Sequence, residues 1–152
     1  MNKWRGWTAL AIFMIAAAML ASVAAGAQDG PKKEMFKARL SPVPIDVSMM
    51  STIAGSGSLT ATLSGKQITI QGTFARLRSP ATTAGIHRAP KGIPGPAIAG
   101  LDLRVTKAEK GEISGTLELT ADQIADLKSG LLYVQIESER APDGNLWGWV
   151  LP

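Results

Sequence analysis

Two neighbouring stretches of the chain alternate between apolar and polar residues. From residue 59 to residue 63, leucine and alanine alternate with threonine, and Ser64-Gly65 then offers a turn. The alternation resumes over residues 68–74, with threonine and glutamine between the apolar positions. Because successive side chains of a strand point to opposite faces, this pattern predicts a β-hairpin with one buried and one solvated face.

Short apolar runs separated by turn residues continue along the chain. A predicted strand near residues 112–119 carries Gly115 in its apolar row, which indicates a bulge or a close approach of another group. Residues 131–138 and 145–151 predict a closing strand pair around the turn sequence at 142–144, Pro-Asp-Gly. The spacing predicts an all-β fold, a Greek-key β-sandwich of about seven or eight strands.

One short connecting helix is predicted among the strands. Thr120 and Gln123 have the spacing of a capping box, and Lys128 followed by Gly130 suits the opposite helix end. The helix has an apolar side that can cover the edge of the sheet, so we expect it to connect strands without a catalytic role.

The start of the chain has the pattern of an export signal. Lys3 and Arg5 precede a long apolar run, and Ala25-Gly26-Ala27 supplies small residues for cleavage. We therefore predict a signal peptide over residues 1–27, although a run of this length also suits an uncleaved membrane anchor. If it is not cleaved, that segment is the chain's one predicted contact with a membrane, and the predicted location is periplasmic or extracellular.

The rest of the chain divides into a lead-in and one domain. Residues 28–34 are polar and predict a short disordered lead-in, so residues 35–152 form the predicted domain. The chain has no cysteine, which excludes disulfides and thiolate metal sites. Without Lys3 and Arg5, 14 basic residues face 12 acidic ones, and this small excess gives no case for nucleic-acid binding.

Several motifs along the chain, taken in order, resemble the chordin-type domain family, CHRD. The opening Phe-x-Ala-x-Leu-Ser pattern spans residues 36–41, and a Gly and Pro loop follows Ile86-His87. The last block runs from a helix into a Tyr-Val strand and a Pro-x-Gly turn. The positions that fit are Phe36, Ala38, Leu40, Ser41, Gly55, Gly57, Ile86, His87, Gly92, Gly95, Pro96, Leu127, Gly130, Tyr133, Val134, Pro142 and Gly144. The resemblance implies a β-sandwich domain of secreted or surface proteins, with no settled enzymatic reaction.

The departures from the family pattern fall mainly on polar positions. Gly85 replaces the first His of His-Ile-His, and Glu137 stands where the later strand usually has His. Asn145 and Trp147 replace the Glu and Arg of the terminal motif. If the family's polar side chains converge on a metal or ligand, this chain lacks most of that set.

His87 is the only histidine and the first candidate for acid-base or metal chemistry. One ligand does not make a metal site, so the remainder would have to come from carboxylates such as Glu137, with Asp143 as a further candidate. The alternative is a structural histidine that hydrogen bonds to the backbone of its own loop. No nucleophile motif such as Gly-x-Ser-x-Gly precedes a helix, so no enzymatic activity and no cofactor are predicted.

Trp147 and Trp149 are the candidate contact surface. If Leu146, Gly148 and Val150 face inward, the two tryptophans share the outward face, where large aromatic side chains often mark a partner site. The reversed register would instead bury both in the core beside Phe74 and Tyr133.

The sequence therefore favours a non-enzymatic binding or structural module that holds an envelope protein or glycan. The predicted contacts are Trp147, Trp149, His87 and Arg88. The alternative is a metal-binding or redox accessory protein that uses His87 with Glu137.

Overall fold

The structure is a computed structural model that describes residues 30–152. The predicted signal peptide and the first two residues of the predicted lead-in lie outside this range. The elements are β1 (Lys33–Pro42), β2 (Ser56–Ser64), β3 (Gln67–Ala75), β4 (Ala81–Arg88), β5 (Ala97–Val105), β6 (Gly111–Glu118), α1 (Ala121–Lys128), β7 (Leu132–Ser138) and β8 (Ala141–Trp149). Over residues 30–152, the all-β class with eight strands and one short helix is thus confirmed.

The strands close into a barrel in the order β1-β2-β3-β6-β5-β4-β7-β8. The predicted Greek-key sandwich is wrong on this point, because β8 pairs with β1 through Ser41–Trp147 and Pro42–Leu146 and the sheet closes on itself. A further bridge joins Lys37 to Leu151, with each backbone N–H donating to the other residue's carbonyl. This β1–β8 contact closes the barrel.

The barrel closes because small and large residues alternate across its inward face. One inward row runs Leu40, Gly57, Phe74 and Gly111 across the first, second, third and sixth strands. At the seam, a Cβ on Gly148 would lie 2.5 Å from the carbonyl oxygen of Arg39 and 3.0 Å from a methyl carbon of Leu40. Glycine therefore lets β8 approach β1 closely, and the large residues fill the interior.

The local predictions mostly hold. The hairpin of β2 and β3 turns at Gly65, whose φ is +62°, and the capping box of Thr120 and Gln123 is formed. Gly115 marks a close approach, since a Cβ there would lie 2.6 Å from a Leu103 methyl carbon. Leu127 is fully buried in the core, as expected for a helix that covers the sheet.

Two boundaries differ from the predictions. The barrel strand β1 begins at Lys33, inside the predicted disordered lead-in, because Lys33 pairs with Ser64. The chain reverses between β7 and β8 at residues 139–140, whereas residues 142–144 lie within β8 at a shift in its register with β7. Gly144 has a φ of +132°, so the Pro-Asp-Gly sequence serves a bulge rather than the predicted turn.

Within residues 30–152, no helix is long and apolar enough to cross a bilayer.

The closure of the barrel can be tested with a pair of glycine variants. We expect Gly148→Ala to lower the free energy of unfolding by about 1–3 kcal/mol, because its methyl group would overlap the Arg39 carbonyl. Gly85→Ala is the matched control, since a Cβ there meets ordinary contacts at 3.6 Å and beyond. Urea denaturation of both variants measures the difference, and equal stabilities would contradict this account of the seam.

Candidate functional site

Strand β8 places its two tryptophans on the outside of the barrel. Leu146 and Val150 belong to the main core inside the barrel, and Gly148 lies against Leu40. The predicted outward register is therefore correct. The predicted exposure is wrong, because Trp147 and Trp149 are only 8% and 7% exposed.

The tryptophans are buried in a second, smaller aromatic cluster. Tyr133 of β7 stands opposite Trp149 and is fully buried, with the two ring centroids 4.6 Å apart. Trp147 meets Trp149 at 4.7 Å in an edge-to-face arrangement, a favourable geometry for aromatic pairs. The alternative prediction is right that both tryptophans are buried beside Tyr133. It is wrong about Phe74, which lies in the main core.

The loop between β4 and β5, residues 89–96, covers this aromatic cluster. The indole N–H of Trp149 donates to the carbonyl of Ala89 at 2.9 Å, and Ala89 itself is buried. The hydroxyl of Tyr133 accepts from the backbone N–H of Gly95 at 2.9 Å and lies 3.0 Å from its carbonyl. A Cβ on Gly95 would lie 2.1 Å from the carbonyl of Arg88, so only glycine allows the loop to fold back here.

His87 holds the same loop. It pairs with Tyr133 across the strands, its ring centroid is 5.0 Å from that of Tyr133, and it is 8% exposed. Its Nδ1 lies 3.0 Å from the carbonyl oxygen of Gly95, and because a carbonyl only accepts, Nδ1 carries the hydrogen. This is the arrangement of the structural alternative, a histidine bonded to the backbone of its own loop.

The structure does not bring His87 and Glu137 together. His87 is opposite Tyr133, and Glu137 lies four residues further along β7, which corresponds to about 13 Å. The carboxylate of Glu137 instead accepts a hydrogen bond from the hydroxyl of Thr83. Asp143 is exposed at the β8 bulge, where its carbonyl accepts from Gln135. In the part of the chain from residue 30 onward, no three His, Asp or Glu side chains are grouped to hold a metal ion.

Arg88, a predicted partner contact, is already engaged within the chain. Its guanidinium forms a two-pronged ion pair with Asp126 of α1, at 2.6 and 3.0 Å. The hydrogen bonds from Arg88 lower the pKa of the Asp126 carboxyl from its ordinary value. This pair ties the end of β4 to the helix, just before the covering loop begins.

A groove opens beside the aromatic cluster, between the covering loop and β1. Its volume is about 540 Å³, and its floor is formed by Trp147, Gly148, Trp149 and Leu151. One wall is formed by Lys37, Arg39 and Ser41 of β1. The other wall is formed by Lys91 and Gly92 of the loop.

Among residues 30–152, every charged side chain that lines the groove is basic. The ion pairs among residues 30–152 are Arg88–Asp126 and Lys128–Glu34, which leaves Lys37, Arg39 and Lys91 without an acidic partner. Three uncompensated cations around one groove create a positive potential that attracts an anionic group.

Sequence reasoning missed Lys37 and Arg39. Their signal was present, because Phe36, Ala38 and Leu40 alternate with them and predict that both cations face outward. What the sequence lacked was the β1–β8 pairing, which sets Lys37 opposite Leu151 and so brings the row of cations beside the tryptophans.

The fold and the groove define a small closed β-barrel with a ligand-sized basic groove on its outer surface. The family model of the CHRD domain matches residues 36–150, and the chain belongs to this family. Membership of this family supports a binding or structural module. No curated protein and no solved structure shows a significant match to the chain.

The burial of the tryptophans predicts a structural role that can be measured. We expect Trp147→Ala or Trp149→Ala to lower the free energy of unfolding by about 3–5 kcal/mol, as for other buried large aromatic residues. Trp149→Phe should cost less, because it keeps an aromatic ring and loses mainly the hydrogen bond to Ala89. Urea denaturation provides the test, and losses of only about 0.5 kcal/mol, typical of exposed positions, would show that the loop does not cover them.

Proposed function

We propose that this protein is an exported, non-enzymatic binding module of the cell envelope that holds a glycan or protein partner in the basic groove. The observation that carries the proposal is a set of three cations, Lys37, Arg39 and Lys91, that have no acidic partner within residues 30–152. They surround a floor that contains the two tryptophans. The export signal that the sequence predicts over residues 1–27 supports a periplasmic or extracellular location.

The groove suits binding because its two walls are independently supported. Lys37 and Arg39 project from a strand that is paired on both sides, with β2 and with β8. Lys91 projects from a loop held through Ala89, Gly95 and His87. The loop ends and the strand are therefore organised before a partner arrives, which reduces the entropy lost on binding.

The partner contacts that we propose are the cations of the groove, whereas the sequence predicted Trp147 and Trp149. Trp147 and Trp149 are largely covered, so they offer little accessible ring surface to a partner. Their main contribution is to support the groove from below, and the charged side chains supply the attraction. His87 and Arg88 act indirectly, since they hold the covering loop and the strand that leads into it.

A charge-neutral variant tests this function. We expect Lys37→Gln/Arg39→Gln/Lys91→Gln to reduce capture of carbohydrate and protein from the source cell's envelope fraction at least about tenfold, which corresponds to about 1.4 kcal/mol. The matched control is Lys66→Gln/Lys107→Gln/Lys110→Gln, which removes three exposed cations that do not line the groove. The proposal fails if both triple variants capture as much as the unaltered protein.

A further inference from the structure

The basic groove continues into a polar band across the outer face of the barrel. The register aligns one row of side chains over five strands: Lys37 (β1), Thr60 (β2), Gln71 (β3), Ser114 (β6) and Arg104 (β5). The row crosses four strand spacings and therefore spans about 19 Å. It begins at a cation of the groove and ends at a second, separate cation.

Shallow grooves follow this band from one end to the other. The groove next to the basic groove shares Lys37 and Arg39 with it and reaches Gln71. The following groove shares Gln71 and continues to Ser114. The last groove, of about 350 Å³, runs from Gln71 and Ser114 to Arg104. The surface thus offers one continuous track longer than a single ligand pocket.

The middle of the band consists of free hydrogen-bonding groups. Within residues 30–152, the side chains of Thr60, Gln71 and Ser114 form no hydrogen bonds with other protein groups. Hydroxyl and amide groups both donate and accept, so they match a ligand rich in hydroxyl groups. The backbone groups of β2 and β3 are already used in the barrel ladders, so this face cannot add the strand of a bound peptide.

Charge along the band selects where anionic groups bind. Lys37, Arg39 and Lys91 stand at one end and Arg104 at the other. Glu112 and Asp102 border the far half, so a ligand with an acidic group at every position would meet repulsion there. The band fits a chain whose acidic groups are spaced by neutral, hydroxyl-bearing segments.

We infer that the ligand is a linear, anionic polysaccharide that lies across β1, β2, β3, β6 and β5, with acidic groups at the basic groove and at Arg104. This inference rests on the proposed function and specifies its ligand. An acidic polypeptide is the competing class, and it is disfavoured because the band has hydroxyl and amide groups where a peptide needs a free strand edge or side-chain pockets.

Calorimetric titration of the full chain with defined polymers tests the inference. The probes are hyaluronan and deacylated gellan, two linear polysaccharides whose carboxylates are separated by one and by three neutral sugars, together with neutral dextran and poly-L-glutamate. We expect one of the two anionic polysaccharides to bind at least about tenfold more tightly than neutral dextran or poly-L-glutamate. Equal or tighter binding of poly-L-glutamate, or no binding of either anionic polysaccharide, overturns the inference.

Probes of different length distinguish binding along the whole band from binding in the basic groove alone. Arg104→Gln should weaken binding of a long chain of the preferred polymer about fivefold and leave its trisaccharide unaffected, because only a long chain reaches Arg104. Lys66→Gln is the matched control, since Lys66 is an exposed cation that lines none of these grooves. An unchanged affinity of Arg104→Gln for the long chain refutes the band, whereas the envelope-capture loss on neutralising the basic groove would still support the proposed function.

Discussion

The close approach of β8 to β1 is the contact on which the rest of the structure depends. Gly148 makes it possible, because any side chain there would overlap the backbone of Arg39. Once the two strands meet, the inward residues of β8 complete the core and its outward tryptophans lie beside the outward cations of β1. Closing the barrel therefore also forms the groove. Gly148, at the seam, is needed for the groove on the outer surface.

The barrel carries a second hydrophobic layer on its outer surface. A β-sheet face that is not covered normally exposes polar residues, yet here Tyr133, Trp147 and Trp149 stand on that face. The loop over residues 89–96 buries them, with glycine at position 95 to permit its return and His87 to hold it. The aromatic residues thus hold the covering loop and the floor of the groove in place. The cations at the border of the groove remain accessible to a partner. Across the neighbouring strands the same outer face reverts to hydroxyl and amide groups.

Features fixed by neighbouring residues could be predicted from the sequence, and features fixed by distant ones could not. The β2–β3 hairpin and the cap at Thr120 depend on residues a few positions apart, and both are correct. The outward direction of Trp147 and Trp149 follows from simple alternation. Their burial depends on a loop about 55 residues earlier in the chain, and the groove depends on a β1 strand more than 100 residues away. The prediction of a turn at Pro-Asp-Gly is wrong because a bulge favours the same residue types as a turn, and the structure has a bulge there.

Amide hydrogen exchange at the β1–β8 seam tests the central claim most directly. The N–H groups of Lys37 and Leu151 donate to each other's carbonyls at 2.7 and 2.9 Å, and these bonds exist only if the barrel is closed. The account predicts that both amides are protected to nearly the same degree as that of Ile70 in the centre of the barrel wall. Exchange of Lys37 and Leu151 at the rate of exposed loop amides, with Ile70 still protected, would show an open sheet and contradict the account.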